Sequence, residues 1–283
     1  MSDDSAATEP SGDPVRPREL ALVRHATLDE PALGTAISRL VLERAASGEL
    51  GATARLQRTG PVVTFGRQDS SSPGFAAAVA AARERGFRCT LRLAGGRAAV
   101  FHEGTVAFSI ALPDPDPRRG TGRRFLLWSE LVTAALRRIG VDARIGEVSG
   151  EYCPGSHSVN ARGAVKLAGV GQRLIDGAAH VGGVVVASDS ERLRDVLVPV
   201  YAALGLEWRP QSAGAVDDEV AGTGLDTVES ALLNELDERF EVSELELGEA
   251  LLGEAAASAE RHEAELAADR LAPATATDPK EPA

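Results

Sequence analysis

The strongest constraint on the fold is how closely strand-like stretches follow one another. Alternating segments at 88–93, 97–101 and 105–112 are separated by only a few residues. A further pair, 156–159 and 164–168, closes around Asn160-Ala161-Arg162-Gly163, and an apolar run follows at 178–187. Shorter strand-like pieces at 54–57 and 62–65 flank Gly60-Pro61. Connections this short join antiparallel neighbours, whereas parallel neighbours need a crossover of a dozen or more residues. Helical spacing fills the longer intervals, at 36–46, 75–85, 125–139 and 191–204. The pattern predicts an α+β fold, with a mixed, largely antiparallel sheet flanked by helices.

Residues 1–17 and 263–283 are rich in Pro, Ala and acids and read as disordered tails. The main domain is expected over 18–212. From 213 to 262 the pattern is helical and acidic, with thin apolar spacing at Leu232, Leu233, Leu236 and Phe240, and reads as a short C-terminal appendage. Aromatic residues make up only 4% of the chain, so the core must be built from Ala, Val and Leu. No run approaches the ~18 apolar residues that span a bilayer. No apolar leader follows Met1. A soluble, cytoplasmic protein without membrane partners is therefore expected.

Net charge is −12 but uneven. Between Arg88 and Arg173 there are 13 basic residues against seven acidic ones. This segment, with Arg118, Arg119, Arg123 and Arg124 at its centre, would steer an acidic partner. Nucleic acid is a poor candidate, because the overall pI is near 5.0 and no aromatics interleave the arginines.

Of the 30 basic side chains only Lys166 and Lys280 are lysines, and Lys280 lies in the tail. A chain that uses arginine so freely keeps lysine where a compact ammonium on a flexible stem is needed. Thirteen residues upstream stands Cys153, one of two cysteines, in the turn sequence Gly150-Glu151-Tyr152-Cys153-Pro154-Gly155. A thiol on a tight loop beside a cation is primed as a nucleophile. Cys89 sits instead in an alternating strand pattern and reads as structural. Neither cysteine has metal-ligand spacing. If the hairpin is regular, Lys166 pairs near His157 and Cys153 lies roughly 10–15 Å up the strand. Pro154-Gly155 must then fold the thiol back. The Gly95-Gly96 turn in Arg92-Leu93-Ala94-Gly95-Gly96-Arg97 lets backbone approach a ligand closely. His102 reads first as a satisfied structural histidine, and His157 as a weaker candidate for a general base.

Over about residues 33–209, with three motifs in order, the chain resembles the lipoate–protein ligase and octanoyltransferase superfamily, which shares a fold with biotin–protein ligases. Gly66-Arg67-Gln68-Asp69 is similar to its Gly-Arg-x-Gln element. Arg92 to His102 is similar to its Arg-x-x-Gly-Gly-x-x-Val-x-His element, with one more residue before Val100. Lys166-Leu167-Ala168-Gly169 with Gln172-Arg173 is similar to its Lys-x-x-Gly-x-x-Gln-Arg element. Cys153 aligns the chain with the cysteine-dependent octanoyltransferase and lipoyl amidotransferase branch. Arg97 departs from the family, where a third glycine is common, and Glu103 stands where an aspartate is usual.

The resemblance implies an acyltransferase catalytic domain over 18–212. It would move an octanoyl or lipoyl group through a Cys153 thioester to a lysine of a lipoyl-carrying protein. Cys153 and Lys166 would be catalytic; Arg92, Gly95, Gly96, His102 and Gly169 would bind the acyl group. No metal or cofactor is implied. The partner would be acidic: an acyl carrier protein, the glycine-cleavage H protein or a lipoyl domain. Two other readings stay open: an ATP-dependent ligase working through an acyl-adenylate, and a non-catalytic binder of lipoyl proteins.

Overall fold

The structure, a computed structural model, describes residues 13–28, 30–264 and 267–268. The chain opens with strand β1 (Glu19–Leu28), helix α1 (Pro31–Ala46) and strands β2 (Thr53–Thr59) and β3 (Val62–Phe65). The short helix α2 (Arg67–Ser70), α3 (Phe75–Arg83), β4 (Arg88–Leu91), β5 (Ala99–Phe101) and β6 (Thr105–Pro113) follow. The middle consists of α4 (Thr121–Arg138), β7 (Ala143–Ile145), β8 (Val159–Ala161), β9 (Val165–Ile175) and β10 (Ala178–Val186). The last elements are α5 (Ser190–Ala203), α6 (Val216–Glu219), α7 (Leu225–Arg239), β11 (Glu241–Glu244) and α8 (Glu249–Ser258).

Eight strands form one sheet in the order β11-β1-β2-β6-β10-β9-β8-β7. β1 runs parallel to β11 and β2, and every other neighbouring pair is antiparallel. The expected mixed, largely antiparallel sheet is thus present. A second sheet, β4-β3-β5, joins the two strands that flank the Gly95-Gly96 loop. β2 and β3 therefore do not form a hairpin at Gly60-Pro61; the chain changes sheets there. Proline at the turn supplies no backbone donor for continued pairing.

The period-2 alternation of the strands explains the two faces of the large sheet. On β6, Val106, Phe108, Ile110 and Leu112 join Val181 and Val185 of β10 in one core with Trp128, Leu131, Val132 and Leu136 of α4. The intervening residues of β6, Ala107, Ser109 and Ala111, face the other way. That second face is small or polar, so it packs loosely except where α1 covers Ala111 and Ala178. α4 carries its apolar residues at helical spacing and ends before Gly140, whose φ of 95° favours glycine.

The stretch 213–262 is woven into this body. Val228, Ala231, Leu232, Leu236 and Phe240 enter the α4 core, with the Trp128 and Phe240 rings stacked at 5.7 Å. β11 forms the sheet edge beside β1. Its sequence, Glu-Val-Ser-Glu, carries no apolar alternation, because an edge strand facing solvent needs none. Val15, within the stretch read as a tail, is buried. Residues 1–12 and 269–283, also read as tails, lie outside the described residues.

Arg124 departs from the expected basic face. It is fully buried on α4 and donates to Asp114, at 2.6 Å, and to Gln172 Oε1, at 3.0 Å. Removing one partner leaves the other charge uncompensated away from water. Asp114→Ala should lower unfolding stability by ~3–5 kcal/mol in urea titration, whereas Arg118→Ala, at an exposed position, should change it by less than ~0.5 kcal/mol.

Candidate active site

The loop between β7 and β8 carries the thiol, and one carboxylate organises it. Glu151 is buried and accepts from Val148 N at 3.0 Å through Oε2. Its Oε1 accepts from Gly155 N at 3.1 Å, Ser158 Oγ at 2.6 Å and Lys166 Nζ at 3.1 Å. These bonds pin both ends of the Glu151–Ser158 turn. Cys153 takes a left-handed backbone conformation, φ 44°, unusual for a residue with a side chain. That conformation is held by its own N–H donating to Tyr201 Oη at 2.8 Å; Tyr201, on α5, donates onward to Ala98 O at 2.9 Å.

Lys166 reaches this loop from β9. β8 and β9 pair Asn160 with Lys166, with a bulge beside Val159, so the lysine lies further from His157 in register than a regular hairpin implies. The ammonium nevertheless meets the cysteine loop. Nζ donates to Tyr152 O at 3.1 Å and Cys153 O at 2.7 Å, in addition to Glu151. It also lies 4.9 Å from the centre of the Tyr152 ring. All three ammonium protons are thereby used, and the residue is only 2% exposed. The Pro154-Gly155 fold-back required by the sequence is the Glu151-centred turn.

The Sγ of Cys153 accepts from Arg97 N at 3.2 Å and lies 3.4 Å from Arg92 Nη2. Burial pushes the thiol up, but the Arg92 charge, the Lys166 charge and these donors outweigh it. Cys153 therefore falls below the ordinary thiol range. The loop supplying Arg97 N is itself fixed. Arg97 pairs with buried Asp69 at 3.3 Å, and Asp69 accepts from Gly66 N at 3.0 Å. Gly96 has φ 102°, and a Cβ there would lie 2.8 Å from Cys153 Sγ and 2.5 Å from Arg92 Nη2. The second glycine of the pair is thus required by direct contact with the thiol.

Cys153, Lys166, Arg92, Gly95, Gly96 and Gly169 all line one cavity of about 520 Å³. Its floor is the small-residue face of the large sheet, with Ala107, Gly169, Gly171 and Gly182. His102 is not among its walls. It is buried behind β5, where Nδ1 accepts from Gly104 N at 3.0 Å, and burial lowers its pKa. His157 does line the cavity, stacked on Phe125 at 5.1 Å. Cys89 is buried on β4. Glu151 and Tyr201, central to the site, were not singled out from sequence. Glu151 lies two residues from the cysteine, the one signal that could have marked it. Among the described residues no cluster of acids, cysteines and histidines could hold a metal. No helix among them is long and apolar enough to cross a membrane.

The chain belongs to the lipoyl protein ligase A/B catalytic domain family, which it matches over residues 30–235. An octanoyl-GcvH:protein N-octanoyltransferase of Anoxybacillus flavithermus is 33% identical over 139 residues, 49% of this chain and 50% of the relative. A lipoyl-GcvH:protein N-lipoyltransferase of Listeria monocytogenes is 30% identical over 111 residues, 39% of this chain and 40% of the relative. The chain spans about half the length of the curated relatives it matches. Among solved structures, a bipartite lipoate protein ligase of Thermoplasma acidophilum superposes with TM-score 0.65 at 19% identity, covering 87% of this chain and 93% of that one. A lipoate-protein ligase A bound with ATP gives TM-score 0.64 at 18% identity, covering 86% and 94%. These likenesses bear out the fold and the family that the three motifs imply.

The thiol's surroundings generate a pH test. A lowered pKa gives Cys153 a larger thiolate fraction than an ordinary thiol, near ~8.5, has at the same pH. Iodoacetamide should therefore modify Cys153 with a midpoint below that of a free cysteine peptide. Arg92→Gln should move the midpoint upward. An unchanged midpoint in Arg92→Gln would show that the guanidinium does not hold the thiolate.

Proposed function

We propose that the protein is a cysteine-dependent acyltransferase that moves an octanoyl or lipoyl group between lipoyl-carrying proteins. The observation that carries this reading is the thiol: Cys153 Sγ lies on the wall of the cavity, beside two cations and a backbone donor, with its pKa lowered. The octanoyl and lipoyl transferase names of the relatives support the acyl class, and GcvH in those names makes a GcvH-type protein the proposed donor.

In the proposed reaction the Cys153 thiolate attacks the acyl carbonyl of the donor. A thioester forms as the bond to the donor's lysine nitrogen breaks, and that nitrogen takes one proton from solvent water and leaves as the free amine. The acceptor lysine, as free amine, then attacks the thioester carbonyl. An amide forms, the thiolate is expelled, and the proton leaves from nitrogen. The Arg92 and Lys166 charges that stabilise the thiolate also favour the oxyanion that grows one bond away. Lys166 has a positioning duty as well, since its three protons hold the Cys153 loop.

Arg118 and Arg119 are exposed in the turn before α4, Arg123 is exposed in its first turn and paired with Asp13, and Phe125 of that helix lines the cavity. An acidic carrier docking on these arginines would bring its acyl-lysine to the cavity. Raising salt beyond about 0.15 M, where the screening length falls below ~8 Å, should then slow transfer from a carrier protein.

The deciding experiment is intact mass after incubation with an octanoylated lipoyl protein, without ATP. A gain of about 126 Da that hydroxylamine removes is expected for an octanoyl thioester. Cys153→Ala should abolish both adduct and transfer, and Cys89→Ala should leave both. Transfer by Cys153→Ala at a comparable rate, or transfer only with ATP, would overturn the mechanism.

Lys166→Arg is expected to lower turnover by ~10²–10³, because the planar guanidinium cannot place three protons on the same acceptors. The tight burial of the site also predicts a stability loss of about 1–3 kcal/mol from overpacking. Wild-type turnover in a normally folded Lys166→Arg protein would rule out this role.

A further inference from the structure

Breaking an amide needs something that breaking a thioester does not. The departing nitrogen must gain a proton, because an amide anion is far too basic to leave, whereas a sulfur leaves as its thiolate. The attacking lysine nitrogen must likewise lose a proton before the new amide is complete. A side chain that serves both needs has to stand where the two nitrogens arrive.

The cavity fixes that place. Of its lining residues, only Gly95, Gly96, Pro154 and Ser156 are exposed. The first two belong to the loop against the thiol and the last two follow Cys153 directly. The cavity therefore opens to solvent at its thiol end, and an acylated lysine enters between these two loops.

Among the described residues, the ionisable side chains that line the cavity are Arg92, Tyr152, Cys153, His157, Lys166 and His180. Cys153 is the nucleophile. An arginine does not give up its proton in a protein, which sets Arg92 aside. Lys166 spends its three protons on Glu151, Tyr152 O and Cys153 O, and losing one would leave the buried Glu151 carboxylate uncompensated. Burial pushes the Tyr152 phenol far up. His180 stands on the α1 side of the cavity, before buried Arg55, which donates there to Gly34 O at 3.1 Å and to Ser38 Oγ. Burial, and next the Arg55 charge, push His180 down to about 4, so it carries no proton to give near neutral pH.

His157 remains, and it stands at the mouth, half-buried, next to exposed Ser156. Its ring is held flat against Phe125, with centroids 5.1 Å apart and planes 18° apart. Its carbonyl accepts from Ser129 Oγ at 2.8 Å, which ties the segment to α4. Nδ1 lies 3.0 Å from Ser156 Oγ, and no other bond to the ring is made among the described residues, so Nε2 is open. With Ser156 Oγ accepting from Nδ1–H, Nε2 can both give and take a proton. Imidazole is the side-chain type suited to that exchange near neutral pH.

Resting on the thioester reading above, we infer that His157 is the acid–base residue of the transfer and that it fits the enzyme to an amide donor. In acylation a solvent proton held on the imidazolium Nε2 passes to the donor's lysine nitrogen as the C–N bond breaks. That nitrogen leaves as the free amine and the imidazole is left neutral. In deacylation Nε2 takes one proton from the acceptor nitrogen as the new amide forms and the Cys153 thiolate is expelled, which restores the imidazolium.

The test is to vary the leaving group. His157→Gln keeps a polar side chain but exchanges no proton. The initial rate of the hydroxylamine-labile Cys153 adduct is read by intact mass with two donors: an octanoylated lipoyl protein, which is an amide, and the octanoyl thioester of N-acetylcysteamine. His157→Gln should slow the amide donor by ~10²-fold or more, the range of general acid catalysis, and leave the thioester donor at about the wild-type rate. The thioester donor also reports that the variant is folded with its nucleophile intact. An equal fall with both donors would overturn the inference, since His157 would then only shape the site. So would an undiminished rate with the amide donor. Absence of any Cys153 adduct in the unmodified protein with either donor would sink the thioester reading, and this inference with it.

Discussion

The site depends on a single buried carboxylate. Glu151 collects two backbone N–H groups, a hydroxyl and an ammonium, so that a loop with no regular structure becomes rigid. A buried carboxylate with four donors is satisfied, whereas the same group with one donor missing would be a liability. Lys166 contributes the compensating charge and in return grips the carbonyls of Tyr152 and Cys153. The left-handed turn at Cys153 costs energy in an isolated chain. It persists because Glu151 within the loop, Lys166 on β9 and Tyr201 on α5 restrain it together.

That arrangement needs a sheet with unequal faces. One face of the β6–β10–β9 ladder carries branched and aromatic side chains that pack under α4 and α7. The other carries Ala107, Ser109, Gly169, Gly171 and Gly182, which cannot fill the space above them. The smaller sheet and its Gly95-Gly96 loop are laid over this bare floor; Gly95 N donates to Gln172 O at 3.2 Å. The cavity is thus what remains when small residues on one layer face a loop on the other.

The arginines divide by burial into different kinds of residue. Arg124 ties α4 to Asp114 and β9, and Arg97 locks its loop to Asp69. Arg92 faces the thiol, and Arg55 lies behind the far end of the cavity. Arg118, Arg119 and Arg123 face solvent. Adjacent positions 123 and 124 fall in opposite classes because successive residues on a helix point about 100° apart. A charge count along the chain treats them all alike.

The sequence by itself determined the class of sheet, most helices and the pairing of a rare lysine with a rare cysteine. These rest on local rules: period-2 and period-3.6 apolar spacing, glycine stops, and residue types in short motifs. It did not reveal β1 or β11. Leu20 and Leu22 of β1 are too few to stand out between charged neighbours, and polar β11 exists only because β1 is there to pair with. His102, in the motif, lies outside the cavity, since a strand end can send its side chain behind the sheet as readily as into it. Glu151, Tyr201 and Arg55 drew no attention because their roles arise from contacts between residues 15, 103 and 21 positions apart. Only the tertiary structure decided which polar groups were buried together, because burial, not residue type, turns an ordinary glutamate, tyrosine or arginine into part of a site.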